Sequence, residues 1–164
     1  IVTSFGAPKV TTFSSISHYN KLLPSYEDAA KYNPYITNRA NNDMLMALKG
    51  YDKMENKDDN LYQAILLLCE WIIKYSPDKL PIHIINKYQV IKRKRELTKD
   101  EKKELCSLLA ELPNKNDIQT AIHLLLDNKT QAELYFDSMS ESEKKFFMSL
   151  PIYYFMNKKS TNNG

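Results

Sequence analysis

Residue types able to act as nucleophile, base or metal ligand are few in this chain and poorly spaced for joint work. The two cysteines, Cys69 and Cys106, and the three histidines, His18, His83 and His123, are the only thiols and imidazoles. A nucleophile–base pair would need Cys69 or Cys106 beside His83 or His123. Each cysteine falls inside an apolar, helix-patterned stretch, where desolvation raises a thiol's pKa and blocks access. Two buried free thiols are therefore expected. No C-x-x-C or H-x-x-x-H spacing occurs, so no metal site is expected.

Carboxylates are more numerous. Glu27-Asp28, Asp58-Asp59 and Glu141/Glu143 fall in loops or at helix starts, where negative charge favours the helix dipole. Glu70 differs, because it lies beside Trp71 in the most apolar stretch. Buried, it would need a partner or a raised pKa. The alternative is a solvent-facing stripe of Gln63, Glu70 and Lys74, with Glu70 and Lys74 in the favourable i,i+4 order, and this is the expected arrangement. No catalytic residue, cofactor or metal follows from these patterns. An all-α active site centred on Glu70 or His123 is the least supported reading.

Lys92-Arg-Lys-Arg95 is the sharpest feature. Net charge over the whole chain is +3, yet residues 81–104 carry eight Lys/Arg against four acids. Cations at a helix C-terminus favour the dipole with no function required, and Glu96, Asp100 and Glu104 stand near to neutralise them. The functional reading makes Lys87, Lys92, Arg93, Lys94 and Arg95 a candidate anion-binding set. Arg93 and Arg95 would fork onto phosphates, Lys87, Lys92 and Lys94 would add charge, and Tyr88 and Gln89 would supply stacking or polar contacts.

These residues need helices to position them. Only three glycines occur, which disfavours phosphate-cradling loops and hairpin-rich β folds. Residues 1–42 are rich in Ser, Thr, Asn, Tyr and Pro, and read as an irregular aromatic arm with one short helix near Glu27–Lys31. From residue 43 the periodicity is helical. Asp43–Gly50 forms a first helix ended by Gly50. After the polar loop Lys53–Asn60, Leu61–Tyr75 is apolar on so much of its circumference that it must be central to the core, and Ser76-Pro77 stops it. Pro81 opens the next helix, with Ile84, Ile85, Tyr88 and Ile91 inward.

Thr98-Lys-Asp-Glu101 and Ser140-Glu-Ser-Glu143 each have capping-box spacing. The first opens a helix through Leu105, Leu108, Leu109 and Leu112, and the second one through Phe146, Phe147 and Leu150. Asn116 or Asp117 is placed to cap Ile118–Leu126, Asn128 to cap Thr130–Met139, and Pro151 to begin a last aromatic segment.

Tyr62-Gln-Ala-Ile65, Trp71 and Ser76-Pro77-Asp78 together resemble the second helix of a tetratricopeptide repeat. Thr130-Gln-Ala-Glu-Leu-Tyr-Phe136 is similar, with Ala132 and Phe136 at that family's four-residue offset. The first-helix signature is absent from both hairpins, Trp71 stands where a small residue is usual, and Lys144 takes the second unit's proline position. The resemblance implies a stack of helical hairpins presenting a surface to a partner, with no activity of its own.

The fold class expected is all-α: antiparallel helical hairpins, as a bundle or short α-solenoid, with an irregular N-terminal arm. The domains expected are an arm (1–42), a helical domain (43–157) and a disordered tail (158–164). The expected function is a non-enzymatic helical protein-interaction or regulatory module, a fragment of a larger protein since the chain starts at Ile1. The alternative is nucleic-acid or anionic-surface binding through the basic helix. The longest apolar run, Ala64 to Ile73, is too short to span a bilayer. With few cysteines and no signal-peptide pattern, the expected location is cytoplasmic.

Overall fold

The computed structural model describes residues 35–76 and 81–158. The short helix expected near Glu27–Lys31, the Pro77 stop, His18 and all of the expected tail except Lys158 lie outside the described residues. Every regular element described is helical, so the all-α expectation holds: α1 (Tyr35–Lys53), α2 (Asp59–Tyr75), α3 (Pro81–Lys92), α4 (Lys99–Glu111), α5 (Asn116–Leu125), α6 (Lys129–Asp137), α7 (Glu141–Met148) and α8 (Tyr154–Asn157), with a 3₁₀ turn at Pro151–Tyr153. The described residues form two compact units, divided between Val90 and Ile91.

In the first unit α1 and α2 pack side by side. Ala40, Met44, Ala47, Leu48 and Tyr51 of α1 recur at helical spacing and meet Ile65, Leu68 and Ile72 of α2. Burying each of the larger side chains contributes roughly 1.5–3 kcal/mol. The helix begins eight residues earlier than the periodicity from Asp43 suggested. Thr37 and Ala40 are buried and extend the inward row toward the N-terminus, while Asn38 and Asn42 occupy the outer face. Gly50 does not end it either. Tyr51 is buried, with its ring 5.7 Å from that of Tyr62, so packing holds one more turn in place. The turn closes where Lys57 Nζ donates to the carbonyls of Tyr51 and Asp52, both at 2.9 Å.

α2 starts at Asp59, because Asp58 caps it through Oδ1 by accepting from the backbone N–H of Asn60 (2.9 Å) and Leu61 (3.3 Å). Gln63, Glu70 and Lys74 are exposed, as expected, and Leu67 is exposed with them. Residues Pro81–Val90 of α3 join this unit by polar contacts. The Tyr62 hydroxyl donates to the Val90 carbonyl at 3.0 Å. Asn86 Nδ2 donates to Asn41 Oδ1 at 3.1 Å, and Gln89 Nε2 to Asn86 Oδ1 at 2.9 Å. Buried polar groups that are satisfied in this way fix register without desolvation loss.

Both capping boxes are formed in the second unit. Thr98 and Glu101 open α4, with Thr98 N–H to Glu101 Oε1 at 2.7 Å and Glu101 N–H to Thr98 Oγ1 at 3.2 Å. Ser140 and Glu143 open α7 in the same way. The cap expected at Asn116 or Asp117 falls at Lys115, whose side chain makes no capping bond, and Asn128 holds its cap position without a side-chain capping bond. Only Leu105 of the α4 leucines is fully buried. Cys106, one step round from it, is exposed, which corrects the expectation of a buried thiol.

Gln119 of α5 reaches back to satisfy the end of α4, donating to the carbonyls of Leu109 (3.0 Å) and Leu112 (2.9 Å). α5 ends in a Schellman motif: Asn128 N–H bonds the His123 carbonyl (2.8 Å) and Asp127 N–H the Leu124 carbonyl (3.2 Å). The left-handed position is Asp127, φ 61°, which tolerates this conformation better than most residues. α6 then packs along α5, and the rings of Phe136, Phe147 and Tyr153 form a cluster with centroids 5.9–6.3 Å apart.

Candidate functional site

Three of the five candidate anion-binding side chains are engaged within the second unit. Lys92 has a side chain only 6% exposed, and its Nζ lies 3.2 Å from Glu96 Oε1 and 3.0 Å from Asp127 Oδ2. It thus ties the end of α3 to the left-handed turn after α5. Arg93 donates from Nη2 to the Pro151 carbonyl at 3.0 Å, and its guanidinium stacks 4.7 Å from the Tyr154 ring and 5.0 Å from that of Phe155. It thereby holds the C-terminal turn and α8. Arg95 forks onto Glu101, with Nη1–Oε1 2.8 Å and Nη2–Oε2 2.9 Å, and also donates to the Glu96 carbonyl at 2.9 Å.

The Arg95 hydrogen bonds, aided by the Thr98 backbone, pull the Glu101 carboxyl down to about 2. In the first unit, Lys87 Nζ lies 5.6 Å from the Tyr88 ring centre. Tyr88 and Gln89, expected to help hold a ligand, are buried. Lys94 is the most outward of the run together with Arg95.

Of the two cysteines weighed as nucleophiles, Cys69 is buried and Cys106 exposed. Burial, and secondarily the charge of Glu70, pushes the Cys69 thiol up to about 12. His123 lies stacked on Tyr135 with centroids 5.5 Å apart, and partial burial lowers its pKa. Among the described residues no His/Cys/Asp/Glu group has the grouping of a metal site.

A groove of about 270 Å³ opens elsewhere in the second unit, lined by Asp117, Ser142, Glu143, Phe146, Phe147 and Leu150. The first turn of α5 supplies Asp117, and α7 with the residue before the 3₁₀ turn supplies the rest. Phe147 is buried and pinned edge-on by Phe136 and Tyr153, so the floor is rigid. Phe146, its neighbour in the chain, is 67% exposed, the largest exposure of a bulky apolar side chain described. Asp117 Oδ1 accepts from Ile118 N–H at 2.8 Å, and Glu143 Oε1 from Ser140 N–H at 2.8 Å. That backbone bond, with the Ser140 hydroxyl, holds the Glu143 carboxyl below its usual range. The lining holds two carboxylates and no Lys or Arg.

The sequence placed Phe146 and Phe147 side by side on one helix. Adjacent helical positions diverge by about 100°, so in so short a helix only one of them can enter the core. That divergence was the available signal for an outward aromatic.

No protein-family model, no curated protein and no solved structure matches the chain. Among the described residues, no helix is long and apolar enough to cross a membrane.

Proposed function

We propose that this chain is a non-enzymatic helical protein-interaction module that takes a segment of another protein through the α7 groove. The observation that carries this reading is Phe146: a large aromatic held two-thirds exposed beside a rigid apolar floor. Water contact with such a ring is unfavourable, and its cover releases about 25 cal/mol per Å² of apolar surface. The groove is smaller and more open than sites that enclose a metabolite, which span about 300–1,000 Å³. It suits the anchoring of one or two side chains from a macromolecule. The likeness to tetratricopeptide-like hairpins in the sequence supports the same reading.

The alternative, anion binding through Lys87, Lys92, Arg93, Lys94 and Arg95, gains no support from the geometry. Lys92, Arg93 and Arg95 already serve as internal struts, and freeing them would break ion pairs, a carbonyl bond and ring stacking.

The test is unbiased peptide display against the folded chain. Enriched peptides are expected to bind, to shift the backbone amides of Phe146, Phe147 and Leu150, and to lose affinity about thirtyfold or more on Phe146→Ser, the loss typical of an aromatic anchor. Absence of enrichment, or enriched peptides indifferent to Phe146→Ser, would overturn the reading.

A further inference from the structure

The chemistry of the groove lining specifies its occupant more narrowly. Resting on the reading of the groove as a protein-docking site, we propose that the occupant is a basic amphipathic segment, with a bulky apolar side chain seated against Phe146, Phe147 and Leu150 and a flanking Lys or Arg held by Asp117 and Glu143.

Charge complementarity, fixed by local geometry, selects this occupant. Each carboxylate uses a single oxygen on a backbone N–H, Asp117 through Oδ1 and Glu143 through Oε1. The second oxygen of Asp117 has no hydrogen-bond partner among the described residues, and the only side chain that reaches the Glu143 carboxylate there is the neutral Ser140 hydroxyl. Both acids sit in the first turn of a helix, where a backbone N–H fixes each side chain. Neither is offset within the groove, since no cation lines it. The cation next to Glu143 in the chain is directed elsewhere: Lys144 Nζ lies 3.6 Å from Glu141 Oε2 and 5.9 Å from the Phe136 ring centre.

The apolar floor alone would accept any hydrophobic side chain. The carboxylates add selection, because an acidic flank brings like charges together and a basic one does not. A groove of about 270 Å³ holds one large side chain and its neighbour, so a single turn of helix or a short extended stretch suffices.

Three synthetic peptides of equal length serve as probes, each repeating Leu with Lys, with Gln or with Glu, titrated into the isotope-labelled chain. The Leu/Lys peptide is expected to shift the amides of Asp117, Glu143, Phe146 and Leu150. It should bind about threefold to tenfold more tightly than Leu/Gln, the range of two solvent-accessible ion pairs, and more tightly still than Leu/Glu. The preference should shrink with added salt.

Asp117→Asn with Glu143→Gln keeps both backbone acceptors and should equalise the Lys and Gln peptides. Equal binding of all three to the unsubstituted chain would overturn the basic partner and leave the docking groove standing. No shift at the groove with any peptide would overturn both. If the chain instead self-associates through the groove and Phe146→Ser abolishes that without affecting peptide binding, the occupant is a second copy and the proposal fails.

Discussion

Replacing Glu101 by Gln removes one charge from a node where a helix cap and an ion pair meet, and its consequence follows from the geometry. Glu101 caps the Thr98 backbone N–H at 2.7 Å and receives the two-pronged guanidinium of Arg95 at 2.8 and 2.9 Å. Gln preserves the capping acceptor, so Glu101→Gln isolates the ionic part. The fall of the carboxyl from its ordinary value near 4.5 to about 2, converted in full, is about 3 kcal/mol. Solvent reaches this pair, and exposed pairs contribute about 0.2–1 kcal/mol. Bidentate geometry places this one at the upper end, so a loss of about 1 kcal/mol is expected at neutral pH.

A carboxyl with a depressed folded-state pKa adds stability that is fully present above about 4.5 and is lost as pH falls through about 2. Urea unfolding followed by circular dichroism from pH 7 to pH 2 gives the measurement. The gap between the unsubstituted chain and Glu101→Gln should be about 1 kcal/mol at pH 7 and close toward pH 2, which cancels the titration of other carboxylates. A double-mutant cycle with Arg95→Gln should return most of that gap as coupling. Equal stabilities at pH 7, or a gap that persists at pH 2, would refute the claim that Arg95 is a strut.

Three further outcomes follow from single residues. Gly50 lies inside α1, and a methyl group there would meet nothing within 4 Å, so Gly50→Ala should stabilise by about 0.5–1 kcal/mol in the same urea assay. Tyr62→Phe leaves the buried Val90 carbonyl without its 3.0 Å donor and should cost about 1–2 kcal/mol, with faster amide exchange at the end of α3. A maleimide reagent at pH 7 should modify exposed Cys106 in the folded chain and reach Cys69 only on unfolding, as counted by mass spectrometry.

How far the sequence discloses this molecule depends on the range of the interactions involved. Both capping boxes are local, three residues apart, and Thr98/Glu101 and Ser140/Glu143 form as their spacing predicts. The stripe of Gln63, Glu70 and Lys74 is periodic and equally legible. The extension of α1 through Gly50 is not, because it depends on Tyr51 meeting Tyr62 across the interhelical contact. Cys106 shows the same limit: its apolar neighbours suggest burial, whereas α4 turns only Leu105 fully inward.

The basic run is the sharper lesson. Its composition suggests an anion site, yet the acids that meet Lys92 include Asp127, 35 positions away, and Arg93 finds a carbonyl 58 positions on. Such pairings leave no trace in local spacing. The groove was hidden for a related reason, since Asp117 and Phe146 converge from different helices.

The most direct test sets the groove against the basic run in one titration. The affinity of a display-selected peptide is measured by calorimetry for the unsubstituted chain, for Phe146→Ser, and for Lys87→Gln with Lys94→Gln. Affinity is predicted to fall about thirtyfold or more on Phe146→Ser and to stay within about twofold on the lysine substitutions. Loss on the lysine substitutions with Phe146→Ser unaffected would contradict the account and return recognition to the basic helix.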